Sequence, residues 1–271
     1  MPSAPAAGAA VVRDGAAVVH RGADASGKMD TMPSTDSLVP RTGERAHDVV
    51  LAHIETELRE GRLSVGDRLP GERALAEQFG ISRASVRDAI RTLEVMGVVR
   101  SATGSGPKSG TVVVSDPTSA LGQALRLHVA SRHLPVADIV QARIMMETWC
   151  LSRAAGSTWE PAAIDEARAL LDAMDDPSLP SKAFTALDAQ FHVALSALAG
   201  NSVVSTMMES LRESTRGYVD EAVATLGNWD EIAADLRLQH RAIFEAVEAH
   251  DGERAARLVR EHIEWFYAQT L

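Results

Sequence analysis

The sequence predicts a mainly α-helical protein, in which an N-terminal segment with short helices and one β-hairpin precedes an all-α helical bundle. Two observations predict this fold class. Apolar residues recur three or four positions apart through most of the chain after residue 45, which is the period of an amphipathic helix. A hairpin pattern occurs only around residues 98–114, on both sides of a Gly/Ser/Pro-rich tip. The length of 271 residues fits two modest domains.

The composition excludes several classes of protein. Hydrophobic residues make up 45% of the chain and charged residues 24%, which is ordinary for a globular protein in water. A single cysteine, Cys150, excludes an intramolecular disulfide framework and a cysteine-rich zinc site. The sequence contains neither a run of about 18 apolar residues nor a signal-peptide pattern at its N-terminus. We therefore expect a cytoplasmic protein with no membrane partner.

The charge of the chain is segregated. The net charge is −10, yet residues 1–115 hold 14 of the 27 basic residues and 14 of the 37 acidic ones. This leaves 13 basic and 23 acidic residues for residues 116–271, which therefore carry the whole excess of negative charge. Net charge describes the overall field of a protein and not any one surface. A local basic surface for nucleic acid is compatible with the acidic total.

Residues 1–42 show no helical or strand period and are rich in Ala, Gly, Ser and Pro. Such a segment buries too little apolar surface to offset the entropy cost of ordering it. We predict a disordered tail here and a first folded domain over residues 43–115.

This first domain begins with helices separated by turn residues. Its first predicted helix starts near residue 46 and ends at Gly61. An extended stretch over residues 63–70 follows, and a short helix over residues 71–79 comes next.

The second short helix leads into the hairpin. Ser82 is a good N-cap for this helix, and Gly97 stops it. Strands are predicted over residues 98–100 and 111–114, on the two sides of the tip. Two short helices joined through Gly80 and followed by a hairpin describe a winged helix-turn-helix.

The segment from Leu69 to Val99 reads LPGERALAEQFGISRASVRDAIRTLEVMGVV. It resembles the winged helix-turn-helix of the GntR family of bacterial transcription regulators, and the resemblance extends over about residues 45–114. The recurring features of the family are present as Leu69-Pro70, Glu72-Arg73, Leu75-Ala76, Ser82-Arg83, Val86-Arg87 and the run from Leu93 to Gly97.

The N-terminal end of the second short helix is the expected DNA-reading surface. In a helix-turn-helix the second helix enters the major groove and presents its N-terminal residues to base edges. The residues at that end are Ser82, Arg83, Ala84, Ser85 and Arg87. Arg83 and Arg87 share one helix face, and an arginine can donate two hydrogen bonds to one guanine. The alternative is a solvated basic face, which is the better interpretation of Arg91.

The resemblance also implies DNA contacts outside this helix. It implies a contact for Arg73 in the preceding helix. At the tip of the hairpin, Thr103 and Gly104, together with Lys108, are expected to meet adjacent phosphates or the minor groove.

After Pro117 the chain is predicted to be helical almost to its end. Prolines and glycines separate the helices, which span about 119–133, 136–156, 160–174, 181–199, 202–225, 229–249 and 252–269. The sequence therefore predicts an all-α bundle over residues 119–271.

Four residues with metal-ligand chemistry lie within three of these helices. Asp188 and His192 are four positions apart and share a helix face, while His240 and His262 come from the last two helices. Any one of these histidines alone is more often a hydrogen-bonded core residue. Burying four ionisable groups together is costly unless a cation compensates them. One carboxylate and three imidazoles suit a divalent Zn, Ni, Mn, Co or Fe ion with positions left for water or a small acid.

The same four residues extend the resemblance. An Asp-x-x-x-His pair, then a histidine in each of the last two helices, resembles the helical ligand-binding (FCD) domain of the FadR-like GntR subgroup. Arg143 and Glu147 resemble the Arg-x-x-x-Glu pattern of that subgroup. The resemblance implies that Arg143 holds an effector carboxylate, which its planar fork can bind with two hydrogen bonds. A salt bridge between the two residues within one helix is the alternative.

These observations predict an effector-responsive transcription regulator and not an enzyme. We expect a repressor that binds a palindromic operator in double-stranded DNA as a homodimer, because a two-fold dimer matches a two-fold site. Its effector would be a small carboxylate or a sugar acid. Two alternatives are a metal-independent sensor of acyl-type ligands and a helical metalloenzyme. The enzyme alternative lacks both the His-Glu-x-x-His signature and the paired Glu-x-x-His motifs of di-iron bundles.

Overall fold

The computed structural model describes residues 45–102 and 110–270 of the chain. The predicted tail over residues 1–42 lies outside this range, as do the hairpin-tip residues Thr103, Gly104 and Lys108. The described residues form ten α-helices and one two-stranded sheet. This confirms the predicted mainly α-helical fold class.

The N-terminal elements form a winged helix-turn-helix. They are α1 (Ala46–Arg59), α2 (Glu72–Phe79), α3 (Arg83–Val95), β1 (Val99–Ala102) and β2 (Gly110–Val113). The two strands pair antiparallel, with Val99 opposite Val113. One core joins the helices to the wing and comprises Val49, Val50, Ile54, Leu69, Leu75, Ala76, Phe79, Val86, Ala89, Ile90, Leu93, Val99 and Val113.

The turn between α2 and α3 follows from its residues. Gly80 ends α2 with a φ of 64°, a left-handed conformation that glycine adopts without steric cost. The Ser82 hydroxyl caps α3 by accepting a hydrogen bond from the Ser85 amide at 3.0 Å. Val86 and Leu93 anchor α3 in the core, so the N-terminal end of this helix remains at the surface.

A second glycine, at the end of α3, contacts the chain segment that follows the wing. Gly97 has a φ of 69°, and a Cβ atom at this position would overlap the carbonyl oxygen of Asp116. The Asp116 amide donates to the Gly97 carbonyl at 3.0 Å, and the Val114 amide donates to the Val98 carbonyl at 2.8 Å. Movement of the chain at Asp116 is therefore linked to the helix-turn-helix.

The remaining described residues form an all-helical bundle. Its helices are α4 (Pro117–Ala130), α5 (Val136–Ala154), α6 (Pro161–Met174), α7 (Ser181–Ala197), α8 (Ser202–Ala224), α9 (Trp229–Glu248) and α10 (Gly252–Gln269). α10 packs along α5, and α4 packs along α8. Within the described ranges, no helix is both long enough and apolar enough to span a membrane.

The first bundle helix differs most from its predicted bounds, and it differs at both ends. The first bundle helix, predicted over about 119–133, begins at Pro117 and ends at Ala130. It begins earlier because the Asp116 side chain caps it and a proline fits its first turn. It ends earlier because Arg132 has a φ of 58°, which a right-handed helix does not contain.

The bundle core is mainly apolar, but several ionisable side chains are buried within it. Glu147, His192, Arg212, His240 and His262 are all at most 8% exposed. Buried ionisable groups are costly unless they are paired or coordinate a metal. This cluster is therefore the part of the bundle whose chemistry requires an explanation.

Candidate metal centre and DNA-binding surface

Four side chains from three helices converge inside the bundle. Asp188 and His192 lie on α7, His240 on α9 and His262 on α10. Each offers one ligand atom, and these atoms all lie within 4.8 Å of one another. The structure thus brings together the four residues predicted to bind a metal, which we call the Asp/His cluster.

Hydrogen bonds at Nδ1 set the tautomers of two of the histidines. Nδ1 of His192 lies 2.6 Å from a carboxylate oxygen of Glu147, and Nδ1 of His262 lies 2.8 Å from the amide oxygen of Gln239. These oxygens only accept hydrogen bonds, so Nδ1 is the donor in both rings. Each neutral ring then carries a lone pair on Nε2, and the two Nε2 atoms are 3.1 Å apart. A cation between them would convert this repulsive contact into coordination.

His240 supplies a second indication of a cation. Within the described chain, neither of its ring nitrogens has a hydrogen-bond partner. Its Nε2 atom is 3.0 Å from Oδ1 of Asp188, but the angles are not those of a hydrogen bond. A buried polar atom without a partner costs about 1–3 kcal/mol. Shared coordination of one ion by His240 and Asp188 would remove that cost at Nε2.

The protonation states of the cluster suit a cation. Burial lowers the pKa of His240, and burial together with the neighbouring His240 holds the pKa of His262 well below its usual range. Burial alone would raise the pKa of Asp188, but its contacts with His192 and His240 and the positive charge of Arg212 outweigh burial and hold that pKa well below the usual range. Metal ligands need neutral imidazoles and ionised carboxylates. The Asp/His cluster could therefore bind a divalent metal ion.

A buried carboxylate supports the cluster from outside. One oxygen of Glu147 contacts His192, and the other lies 3.0 Å from Nε of Arg143 and 3.4 Å from Arg212. Such contacts orient a metal-ligating imidazole and raise its basicity. The sequence pattern paired Glu147 with Arg143 but gave no indication of its contact with His192.

Arg212 is a residue of the site that sequence reasoning missed. It lies on α8, and its Nη1 donates to Oδ2 of Asp188 at 2.9 Å. One signal in the sequence could have identified it. Ser210, Ser214 and Thr215 are also buried on α8, so a buried helix face is polar there. Small polar residues on one face of a helix in an apolar bundle indicate an internal site.

A cavity of about 30 Å³ adjoins the Asp/His cluster. Asp188 and His262 line it together with Arg143 and Arg212. Arg143 forms the ion pair with Glu147 that is the alternative to effector binding, and it also lines the cavity. Its contact with an effector carboxylate stays a prediction. With Arg216 and Asp220, which also line it, the cavity presents three guanidinium groups and two carboxylates beside a candidate metal centre.

The predicted DNA-reading residues lie at the N-terminal end of α3. Ser82, Arg83, Ala84 and Arg87 are exposed there, whereas Ser85 is partly buried. The side chains of Arg83 and Arg87 are 63% and 49% exposed. This end of the helix is free of the core of the winged domain.

Acidic partners accompany the arginines of this surface. Glu72 accepts hydrogen bonds from Arg87 at 3.1 and 2.8 Å and lies 3.8 Å from Arg83. Arg73 on α2 is 3.7 Å from Glu77 and 82% exposed. Ion pairs at exposed positions contribute about 0–1 kcal/mol. DNA phosphates or base edges can therefore replace them at little cost.

Comparison with known proteins finds a matching family model for each of the two parts of the chain. Residues 46–108 match the model for bacterial regulatory proteins of the gntR family, and residues 138–264 match the model for the FCD domain. The HTH-type transcriptional repressor NanR of Edwardsiella tarda is 26% identical over 238 residues, covering 84% of this chain and 86% of that protein. The Glc operon transcriptional activator of Escherichia coli is 25% identical over 221 residues, covering 80% and 85%.

A solved structure supports the fold. The structure of Streptococcus agalactiae GntR matches with a TM-score of 0.56 at 20% identity, covering 82% of this chain and 97% of that chain. The two family models match consecutive parts of the chain, in the order in which the winged helix-turn-helix and the helical bundle occur. The family consists of transcription regulators, so the metalloenzyme alternative is wrong. The chain belongs to the GntR family of DNA-binding transcription regulators, with an N-terminal GntR helix-turn-helix and the C-terminal FCD domain of the FadR-like subgroup.

Proposed function

We propose that this chain is a homodimeric repressor whose binding to a palindromic operator is controlled by a small carboxylate at a divalent metal centre. The Asp/His cluster, beside a cavity with Arg143 and Arg212, is the observation that carries this proposal. Residues 43–115 bind DNA, and residues 119–271 bind the effector and dimerise.

The donor set defines which ions fit the centre. Three imidazole nitrogens and one carboxylate oxygen suit Zn, Ni, Mn, Co or Fe. When bound, such an ion supplies positive charge and coordination positions for water or effector oxygens. Glu147 and Gln239 hold the rings of His192 and His262 in the orientation that this coordination needs.

The charge balance of the site favours an anionic effector. Arg143, Arg212, Arg216 and a divalent ion carry five positive charges, against the three negative charges of Glu147, Asp188 and Asp220. A buried site with excess positive charge is stabilised by an anion. The contact of Arg143 with Glu147 uses Nε, and no hydrogen bond joins its terminal nitrogens to a described residue. These nitrogens are available to a carboxylate.

Arg212 connects the site to the helix that leads to the DNA-binding domain. It lies on α8, which packs along α4. The two helices are close, because a Cβ atom at Gly122 of α4 would lie 3.4 Å from the Glu213 side chain. The Thr118 hydroxyl also donates to Glu209 at 2.9 Å across this contact. A displacement of α8 is therefore transmitted to α4.

The chain at the start of α4 completes this route. Asp116 precedes α4 and is hydrogen-bonded to Gly97, at the end of α3. Effector binding that displaces Arg212 would therefore shift α3 and change the spacing of the two reading helices in the dimer. A ligand produces such a shift only if it binds one arrangement better than the other.

We assign repression and not activation to this chain because the NanR relative is named a repressor, whereas the Glc operon relative is named an activator.

Selection of bound duplexes from a random-sequence DNA library tests the proposal. We expect a palindromic consensus that binds two chains, and we expect carboxylates to release it from metal-loaded but not metal-free protein. Enrichment of no two-fold sequence would contradict the dimeric operator complex. Tighter binding on addition of the effector would contradict repression relieved by the effector.

A further inference from the structure

A second cavity lies next to the one beside the Asp/His cluster. Its volume is also about 30 Å³, and residues of α5, α8 and α10 line it. The two cavities have common walls, formed by Arg143, Thr215, Val219, Ile263 and Phe266. We call the two cavities together the bipartite site, with a near part at the cluster and a far part between these three helices. Arg143 lies where the two parts meet.

The far part of the bipartite site is lined largely by apolar side chains. Val136, Ile139 and Val140 belong to its wall, and Tyr218 and Tyr267 contribute aromatic rings. Among the described residues that line the far part, Arg143 alone carries a charge. The site therefore changes from ionic to apolar chemistry over the length of a small molecule.

The two threonine side chains of the far part offer no free hydrogen-bond donor to a ligand. The Thr215 hydroxyl donates to the Leu211 carbonyl at 3.1 Å, and the Thr270 hydroxyl donates to the Tyr267 carbonyl at 3.0 Å. Each hydroxyl hydrogen is therefore used within its own helix. Among the described residues of this wall, the hydroxyl groups of Tyr218 and Tyr267 are the remaining neutral donors, so a ligand with several hydroxyl groups would lose more hydrogen bonds to water than the wall replaces.

We propose that the effector is a carboxylic acid with a short aliphatic substituent, whose carboxylate binds at the Asp/His cluster and Arg143 and whose substituent fills the far part. This inference rests on the proposed function, because it requires a carboxylate at the metal centre. It decides between a short-chain carboxylic acid and a sugar acid, which the chemistry of the cluster alone leaves open. The small volume of each cavity restricts the substituent to a few carbon atoms.

Calorimetric titration of 2-hydroxy acids into the Zn²⁺-loaded full-length protein tests this inference. These acids have one common head group, which can chelate an ion through carboxylate and hydroxyl oxygens. Each methylene that enters an apolar site raises affinity about fourfold. We therefore expect 2-hydroxybutanoate to bind about 15-fold more tightly than 2-hydroxyethanoate. The four-carbon 2,3,4-trihydroxybutanoate should bind about tenfold or more weakly than 2-hydroxybutanoate, because its additional hydroxyls enter the far part.

A matched pair of variants tests whether the aliphatic substituent of the acid binds in the far part. Val140→Thr places a hydroxyl in the far part with almost no change in volume. We expect it to weaken 2-hydroxybutanoate binding about three- to tenfold and to leave 2-hydroxyethanoate binding unchanged. Val203→Thr makes the same change at an exposed position of α8 and should alter neither affinity.

The outcomes separate this inference from the proposed function. Equal affinities along the series, or equal binding of the trihydroxy acid, would overturn the apolar substituent while leaving carboxylate sensing intact. An unchanged preference in Val140→Thr would overturn the placement in the far part. If none of the acids binds the loaded protein, the proposed function fails as well.

Discussion

At the scale of single residues, Glu147 supports the Asp/His cluster without being one of its ligands. It contacts His192 at 2.6 Å and also pairs with Arg143 and Arg212. Glu147→Gln keeps the shape of the side chain but removes the charge that faces the Nδ1 hydrogen of His192. We expect the affinity for a divalent ion to fall about 10–100-fold, as measured by competition with a chromogenic chelator.

A matched variant controls for the loss of a carboxylate. Glu253→Gln makes the same change at an exposed position of α10 and should leave metal affinity unchanged. Equal metal affinities in the two variants would contradict the role assigned to Glu147.

Arg83 and Arg87 carry the residue-scale prediction for DNA binding. A bidentate arginine–guanine contact contributes about 1–3 kcal/mol of discrimination. Replacing both residues with alanine should therefore weaken binding to the selected duplex at least about 30-fold, as measured by fluorescence anisotropy. Both side chains are exposed, so the unfolding temperature should not change.

Arg91 provides the control within the same helix. It is 69% exposed and lies 4.0 Å from Asp88, further from the N-terminal end of α3. Arg91→Ala should retain specific binding. If Arg91→Ala weakened binding as much as the double variant does, the effect would be general electrostatic attraction and not base reading.

The candidate ligands could be predicted from sequence because their positions need little tertiary information. Asp188 and His192 share a face in any helix, and histidines flanked by apolar residues point inward. Arg212 was missed because an arginine in an amphipathic helix is usually solvated, and the small polar residues near it on α8 are a weaker signal than a shared helix face. Its burial depends on α8 packing against α7, which no local period encodes.

At the scale of elements, replacement by alanine should have opposite effects on the free energy of unfolding at two glycines. Gly97 has a positive φ, and a Cβ atom there would overlap the Asp116 carbonyl. Gly97→Ala should lower the free energy of unfolding by about 1–3 kcal/mol. Gly217 lies within α8 with no atom within 4 Å of an added Cβ, so Gly217→Ala should raise it by about 0.5–1 kcal/mol.

Thermal unfolding followed by circular dichroism measures both effects. The result that would contradict this account is an equal shift in the same direction for the two variants. That result would mean that the contact between Gly97 and Asp116 does not hold the wing to the start of α4.

Most elements could be predicted because their ends have local causes. Gly80 and Ser82 form the helix-turn-helix turn, and Asn201 caps α8 by accepting hydrogen bonds from two amides. The end of α4 was misplaced by about one turn, because Arg132 adopts a left-handed conformation that its residue type does not favour. A non-glycine residue in that conformation leaves no signal in the sequence.

At the scale of the whole molecule, a metal ion would join three helices of the bundle, namely α7, α9 and α10. A ligand that binds only the folded state stabilises it by about 2.7 kcal/mol at 100 times its dissociation constant. We expect chelation to lower the unfolding temperature by about 5–10 °C, and we expect Zn²⁺ to restore it. Differential scanning calorimetry measures this, and His240→Ala should show no response to either treatment.

The division into a winged helix-turn-helix and a helical bundle could be read from periodicity, because the hairpin separates the helices of the first domain from those of the bundle. The bipartite site could not be read in the same way. Its walls come from α5, α7, α8 and α10, which are distant in sequence and meet only through the packing of the bundle. Patterns of spacing identify chemistry within an element, whereas cavities are properties of the assembled molecule.

The central claim is that the Asp/His cluster holds a divalent metal ion. Elemental analysis of the purified, dialysed protein tests it most directly, with His240→Ala and the exposed-site control His128→Ala measured in parallel. We predict about one divalent metal ion per chain in the unmodified protein and in His128→Ala, and none in His240→Ala. A metal-free unmodified protein that also fails to bind added Zn²⁺, or full metal content in His240→Ala, would contradict the claim.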